Sequence, residues 1–394
     1  METTYDTRIL DDRTAWGAVL SMALCVAVLI ASEFMPVSLL SPIAVDLGIS
    51  EGRTGQAISI SGAFAVVTSL LVAGLTRRID RKLVVTGFTV LLIVSGLATT
   101  FAPNFALLMV GRALLGVAIG GFWSMSTSIV MRLVSEDRVP KGLAMLNAGN
   151  AIAATIAAPL GSFLGAYIGW RGAFFLVVPL GLLALVWQWI SLPPLPPRGR
   201  RVSGNVLALL ARRPVALGMA SILFLFMGQF ALFTYLRPFL ESVTGVGISA
   251  LSAMLLVIGL AGVAGTWCIG QHTRLFSILI VIPLVMSILA VAVIALGSAP
   301  VPVALLLLAW GFFGTAAPVA WGTWLSRTLP DDAEAGGGLQ VATIQLAITG
   351  GAAIGGTLFD AIGWWGAFAF GAALLCGSSL LALVAWRTTR RALP

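Results

Sequence analysis

The heptapeptide Ile168-Gly169-Trp170-Arg171-Gly172-Ala173-Phe174 returns as Ile362-Gly363-Trp364-Trp365-Gly366-Ala367-Phe368, offset by 194 residues in a chain of 394. The match extends backwards, with Ala158, Gly161 and Leu164 recurring as Ala352, Gly355 and Leu358. An ordered motif repeated at half the chain length makes the two halves repeats of each other in the same orientation. In a membrane protein that implies a transporter built around a central pseudo-two-fold axis.

The solvent for most of this chain is lipid. Hydrophobic residues make up 59% of it and charged residues only 10%, with a mean hydropathy of +1.03. A soluble domain averages about 25% charged residues and could not cover its surface with so few. Crossing a bilayer takes about 20 apolar residues. Read that way, the chain holds twelve spans: 16–44, 54–76, 83–101, 105–131, 141–167, 172–192, 214–240, 248–270, 275–297, 301–325, 337–360 and 365–386. The expected fold is an all-α membrane protein with two pseudo-symmetric six-helix bundles, 1–192 and 214–394. The connection 193–213 is rich in Pro and Arg. A stiff proline stretch and then a basic one suit a cytoplasmic tether between two moving bodies. The first span is expected to stay on the mature chain: Asp6, Asp11 and Asp12 precede it, and it is too long for a signal peptide.

Basic residues set the orientation. With both termini inside, 19 of the 23 fall on the cytoplasmic side, Arg53 and Arg171 on the outer side, and Arg112 and Arg237 within the membrane. That is the positive-inside asymmetry. It also removes nucleic acid as the reason for a net charge of +8, because the charge is spread over short loops.

Several sequences carry a family resemblance. Span 1 reads Glu33-Phe34-Met35-Pro36-Val37 and leads into Ser41-Pro42-Ile43-Ala44-Val45-Asp46; span 4 carries Gly111-Arg112-Ala113-Leu114-Leu115-Gly116; span 5 carries Ala157-Ala158-Pro159-Leu160-Gly161. With these the chain resembles the major facilitator superfamily, in its twelve-helix drug:proton antiporter group. Within that group, Gly120-Gly121-Phe122-Trp123, the stretch Gln229 to Pro238, and Gln340 to Ala347 are similar to bacterial exporters of purine ribonucleosides. The resemblance implies alternating access, and an arginine of span 4 near the proton pathway. One departure stands out. In the gating loop between spans 2 and 3, Arg77 occupies the place of an acidic residue that latches the cytoplasmic side in the family. The latch here must be built from other residues of the loop, with Asp80 and Arg81 the candidates.

Exclusion narrows the energy source. The only lysines, Lys82 and Lys141, are not preceded by the glycine of a phosphate-binding loop. The single histidine, His272, lacks the partners that zinc or a catalytic triad requires. Cys25, Cys268 and Cys376 sit singly in apolar runs and read as small buried hydrophobes. No cofactor or metal is expected, and the proton gradient remains as the source of energy.

Glu33 is the one carboxylate well inside an apolar span; Glu241 and Asp360 fall at outer ends, where water reaches them. A charge in the membrane is costly and marks function, so Glu33 is the expected proton carrier. Its expected partner is Arg112, since the two lie roughly 16 and 10 Å below the outer ends of their spans at 1.5 Å per residue. For the substrate, aromatic planes and amides suit a purine base and ribose hydroxyls. The candidate binding residues are Trp123 in span 4, Asn147 and Asn150 in span 5, Gln229, Phe233, Tyr235 and Arg237 in span 7, Trp321 in span 10 and Gln345 in span 11.

The reading is a monomeric proton-coupled exporter of a purine nucleoside in a bacterial inner membrane, with lipid, protons and the small molecule as its partners. The alternative is a sugar or multidrug exporter of the same group. An intramembrane enzyme is disfavoured, because no nucleophile–base pair or metal cluster appears.

Overall fold

The computed structural model describes residues 12–135, 138–197, 206–270, 275–329 and 333–391. In the first half the helices are α1 (Asp12–Leu47), α2 (Glu51–Leu75), α3 (Arg81–Thr100), α4 (Phe105–Leu133), α5 (Val139–Phe175) and α6 (Val177–Ser191). A short 3-10 helix, Val206–Ala211, leads into the second half. There the chain forms α7 (Arg213–Phe233), α8 (Leu236–Ser242), α9 (Ile248–Gly270), α10 (Leu275–Leu296), α11 (Pro300–Gly314), α12 (Ala317–Thr328), α13 (Ala333–Ile362) and α14 (Trp364–Arg391).

These elements make the expected twelve crossings, with two differences. The seventh and tenth spans are each two helices, α7 with α8 and α11 with α12. A proline removes an N–H and crowds the carbonyl four residues before it. Pro238 and Pro318 do this to Thr234 and Gly314, and both helices break at those points.

The repeated heptapeptide turns out to be a turn. Gly169 has φ +71° and Gly363 φ +89°, a left-handed conformation that ends one membrane crossing and starts the next. The aromatic pair that follows is kept as well: Trp170 meets Phe174 and Trp364 meets Phe368, both edge-on. The other two left-handed glycines, Gly48 and Gly245, also occupy corresponding turns, after α1 and after α8. Gly363→Ala would place a Cβ in that conformation at a cost of about 1–2 kcal/mol. Purified protein should therefore unfold at lower temperature, while Gly350→Ala tests crowding against the Met227 side chain at normal φ.

Pairing within each bundle follows the same symmetry. α1 packs on α5 as α7 packs on α13, and α2 on α4 as α9 on α11. Small residues bring the backbones together, as usual between membrane helices. A Cβ on Gly116 would strike the Ser61 carbonyl, and one on Gly311 the Ile258 carbonyl. The bundles meet along two related seams, α2 with α13 and α5 with α9.

The start of the interdomain connection is docked on the first bundle. Asp80 caps α3 through the Lys82 amide at 2.7 Å and also accepts from the Leu195 amide at 3.0 Å, while the Arg81 amide donates to the Leu195 carbonyl. Arg81 Nη1 donates to Thr76 Oγ1 at 2.7 Å. Asp80 and Arg81 thus fasten the loop to their own bundle, and Arg77 is exposed. The described bonds of Asp80 make no latch between the halves. The basic stretch 198–205 and His272 lie outside the described residues.

Candidate functional site

Where the bundles touch, two buried charges of opposite sign lie close together. Glu33 of α1 is 2% exposed and Arg112 of α4 is 1% exposed. Burial at this depth requires each to be compensated. Gln345 of α13 donates from Nε2 to Glu33 Oε1 at 3.3 Å, so the carboxyl is held from the opposite bundle.

The expected ion pair between Glu33 and Arg112 is not formed; the arginine holds the glutamate's backbone instead. Its guanidinium donates to the carbonyls of Ser32 at 2.6 Å, Glu33 at 3.1 Å and Ala57 at 3.0 Å, and to Ser61 Oγ at 3.3 Å. The reason is in the sequence. Pro36 lies inside α1 and lacks the N–H that would complete the Ser32 carbonyl four residues earlier. Arg112 supplies the missing donor, and its positive charge lies beside the Glu33 carboxyl without binding it.

Aromatic rings border this point. Phe34 of α1 stacks on Phe230 of α7 across the bundle boundary, with centroids 5.7 Å apart and an interplanar angle of 23°. Phe233 meets Phe230 edge-on at 6.0 Å. Trp123, Asn150, Gln229 and Phe233 are half-buried, as candidate lining residues should be. Gln229 fills the space beside Gly314 with its Nε2, and its buried Oε1 has no hydrogen-bond partner. The Gln345 Oε1 is likewise buried and unpartnered. The Asn147 side chain lies outside the described residues.

Three expected binding residues are engaged elsewhere. Tyr235 is 0% exposed, its hydroxyl donates to the Ala352 carbonyl at 2.7 Å, and its ring stacks on Phe359. Arg237 bonds Glu241 through Nε at 2.8 Å and donates through Nη1 to the Ser38 carbonyl of α1. Trp321 is packed edge-on against Trp324 in the core of the second bundle. Tyr235 and Arg237 seal the bundle boundary toward the outer face, and Trp321 fills a core.

Sequence reading missed Phe34 and Phe230 as a pair, although Phe34 adjoins Glu33. Asp360 is exposed at an outer end, as expected, and it also accepts from Ser50 Oγ at 2.5 Å and from the Gly52 amide at 3.0 Å. Pro36 and Pro42 were the available signals for the arginines, since each frees a carbonyl four residues before it. An apolar groove of about 470 Å³ between α3 and α6, lined by Leu83, Val90, Trp189 and Ile190 among others, lies away from these residues.

Comparison with known proteins places this geometry in a family. The sequence model of the Major Facilitator Superfamily matches residues 22–335. The "Transcription regulatory protein OpdE" of Pseudomonas aeruginosa is 49% identical over 381 residues, covering 95% of this chain and 94% of that protein. The "Purine ribonucleoside efflux pump NepI" of Salmonella typhimurium is 42% identical over 380 residues, covering 96% of each. Among solved structures, a bacterial homologue of the human lysosomal transporter Spinster, in an inward-facing and occupied conformation, superposes with a TM-score of 0.73 at 15% identity. That match covers 95% of this chain and 96% of the other.

Proposed function

Because the chain belongs to the major facilitator superfamily, we propose that it exports purine ribonucleosides, or close analogues, from a bacterial cell in exchange for protons. The observation that carries the proton half of this reading is Glu33, a buried carboxyl on one bundle hydrogen-bonded by Gln345 of the other. A group in that position changes its surroundings whenever the bundles move. Proton binding and bundle movement are then linked, and the linkage is reciprocal.

The substrate half rests on the 42% identity to a purine ribonucleoside efflux pump along nearly the whole chain. The rings of Phe34, Phe230 and Phe233 offer stacking faces, and Gln229 offers a buried carbonyl oxygen without a donor. A nucleoside carries both the flat base and the hydroxyl or amino donors that such a site wants. The name of the 49% relative points to transcription.

Labelled inosine added to everted membrane vesicles tests this directly. Uptake is expected to be saturable, to require an imposed pH gradient and to be competed by guanosine. If a sugar or an amphiphilic cation is carried and the nucleosides are not, the substrate assignment is wrong. Gln229→Ala provides a finer check. Losing one buried hydrogen bond costs about 1–3 kcal/mol, so inosine affinity should fall roughly five- to 150-fold in equilibrium binding.

A further inference from the structure

We infer that Arg237 and Asp360 form an outer gate by completing, from the second bundle, backbone groups that the first bundle leaves open. Membrane transport itself does not explain these two contacts, and neither depends on the identity of the substrate.

Pro42 lies inside α1 and denies the Ser38 carbonyl its helical donor. Arg237, 4% exposed at the start of α8, donates to that carbonyl and is steadied by Glu241 one turn on. At the same level α2 begins, with Ser50 as its N-cap. The first amides of a helix have no partners within it, and the positive end of the helix dipole attracts an anion. Asp360, near the end of α13, occupies that position, bonded to Ser50 Oγ and the Gly52 amide. One side chain is a cation on an orphan carbonyl and the other an anion on an orphan amide and the N-cap hydroxyl. The two complement each other across the boundary.

Steric fit supports the same closure. A Cβ on Gly52 would fall on the Asp360 carboxyl and the Gly356 carbonyl, and one on Gly55 on the Tyr235 hydroxyl. Tyr235 thus wedges between Gly55 of α2 and Gly356 of α13, directly inward of the Asp360 contact. When the outer ends part, the Ser38 carbonyl and the Gly52 amide lose these partners together. The gate therefore opens as a unit and biases the protein toward its outward-closed state.

A buried reporter on the seam tests the gate. Ser59 lies on the α2 face between Gly55 and Gly62; it is 8% exposed and its hydroxyl is unpartnered. In intact cells, Ser59→Cys should react slowly with a membrane-impermeant thiol reagent, measured against the background of the native cysteines. Combining it with Asp360→Ala should raise the labelling rate at least fivefold. Asp360→Asn, nearly isosteric and uncharged, should give a smaller rise, and Gly52→Ala should give a rise while leaving every charge in place. Should labelling stay within twofold in Asp360→Asn and Gly52→Ala proteins present at normal membrane levels, the gate assignment is overturned. Neither proton coupling nor nucleoside recognition enters this readout, so its failure leaves the transport reading untouched.

Discussion

Glu33→Gln is expected to abolish pH-gradient-driven export while leaving binding and simple exchange of substrate in place. Glutamine keeps the shape of the side chain and can still accept from Gln345 through its amide oxygen. What it loses is the ability to take up and release a proton. Net transport against a substrate gradient should fall to background, at least about a hundredfold, which corresponds to roughly 2.7 kcal/mol of lost coupling at 1.36 kcal/mol per tenfold. Counterflow of labelled inosine against unlabelled inosine in proteoliposomes, which needs no net proton movement, should persist. Full gradient-driven accumulation by the variant would remove Glu33 from the coupling mechanism. Loss of counterflow together with accumulation would make it a packing or binding residue.

Much of this architecture is legible in the chain. The turn at Gly169 and Gly363 is visible as the repeated heptapeptide, because a left-handed residue flanked by packed rings constrains several positions at once. The burial of Glu33 and its nearness to Arg112 follow from counting residues along two helices. What counting along helices does not give is which atom meets which. The sequence points Arg112 to a carboxylate and Arg237 to a substrate, yet each binds a backbone carbonyl of α1. Backbone groups carry no side-chain signature, and the clue lies four residues away, in Pro36 and Pro42. Tyr235 and Trp321 fail for a related reason. An aromatic residue at helical spacing can face a boundary, a core or a cavity, and only packing against Gly55, Gly356 and Trp324 decides among them.

The proline argument leads to a second large effect, at Arg112. Arg112→Leu removes the donors to the Ser32, Glu33 and Ala57 carbonyls at once, in a setting where water does not replace them. The Glu33 and Ala57 carbonyls keep helical donors, but the Ser32 carbonyl is left unsatisfied at a cost of about 1–3 kcal/mol, so the variant should be destabilised by about that much and inactive in transport. Arg112→Lys should also fail, since a single ammonium does not span carbonyls contributed by both α1 and α2 as a planar fork does. Changing the proline separates this account from a simple loss of charge. Pro36→Ala gives residue 36 an N–H that can bond the Ser32 carbonyl within α1, so one of the acceptors no longer needs the arginine. Pro36→Ala combined with Arg112→Leu should then be less destabilised than the two single changes added together. The expected coupling is about 1 kcal/mol, within the range found for residues that share a hydrogen-bond network. Thermal unfolding of the purified proteins in detergent measures all three variants. Strict additivity would mean that the role of Arg112 lies in its charge beside Glu33, and that the carbonyl contacts are incidental to it.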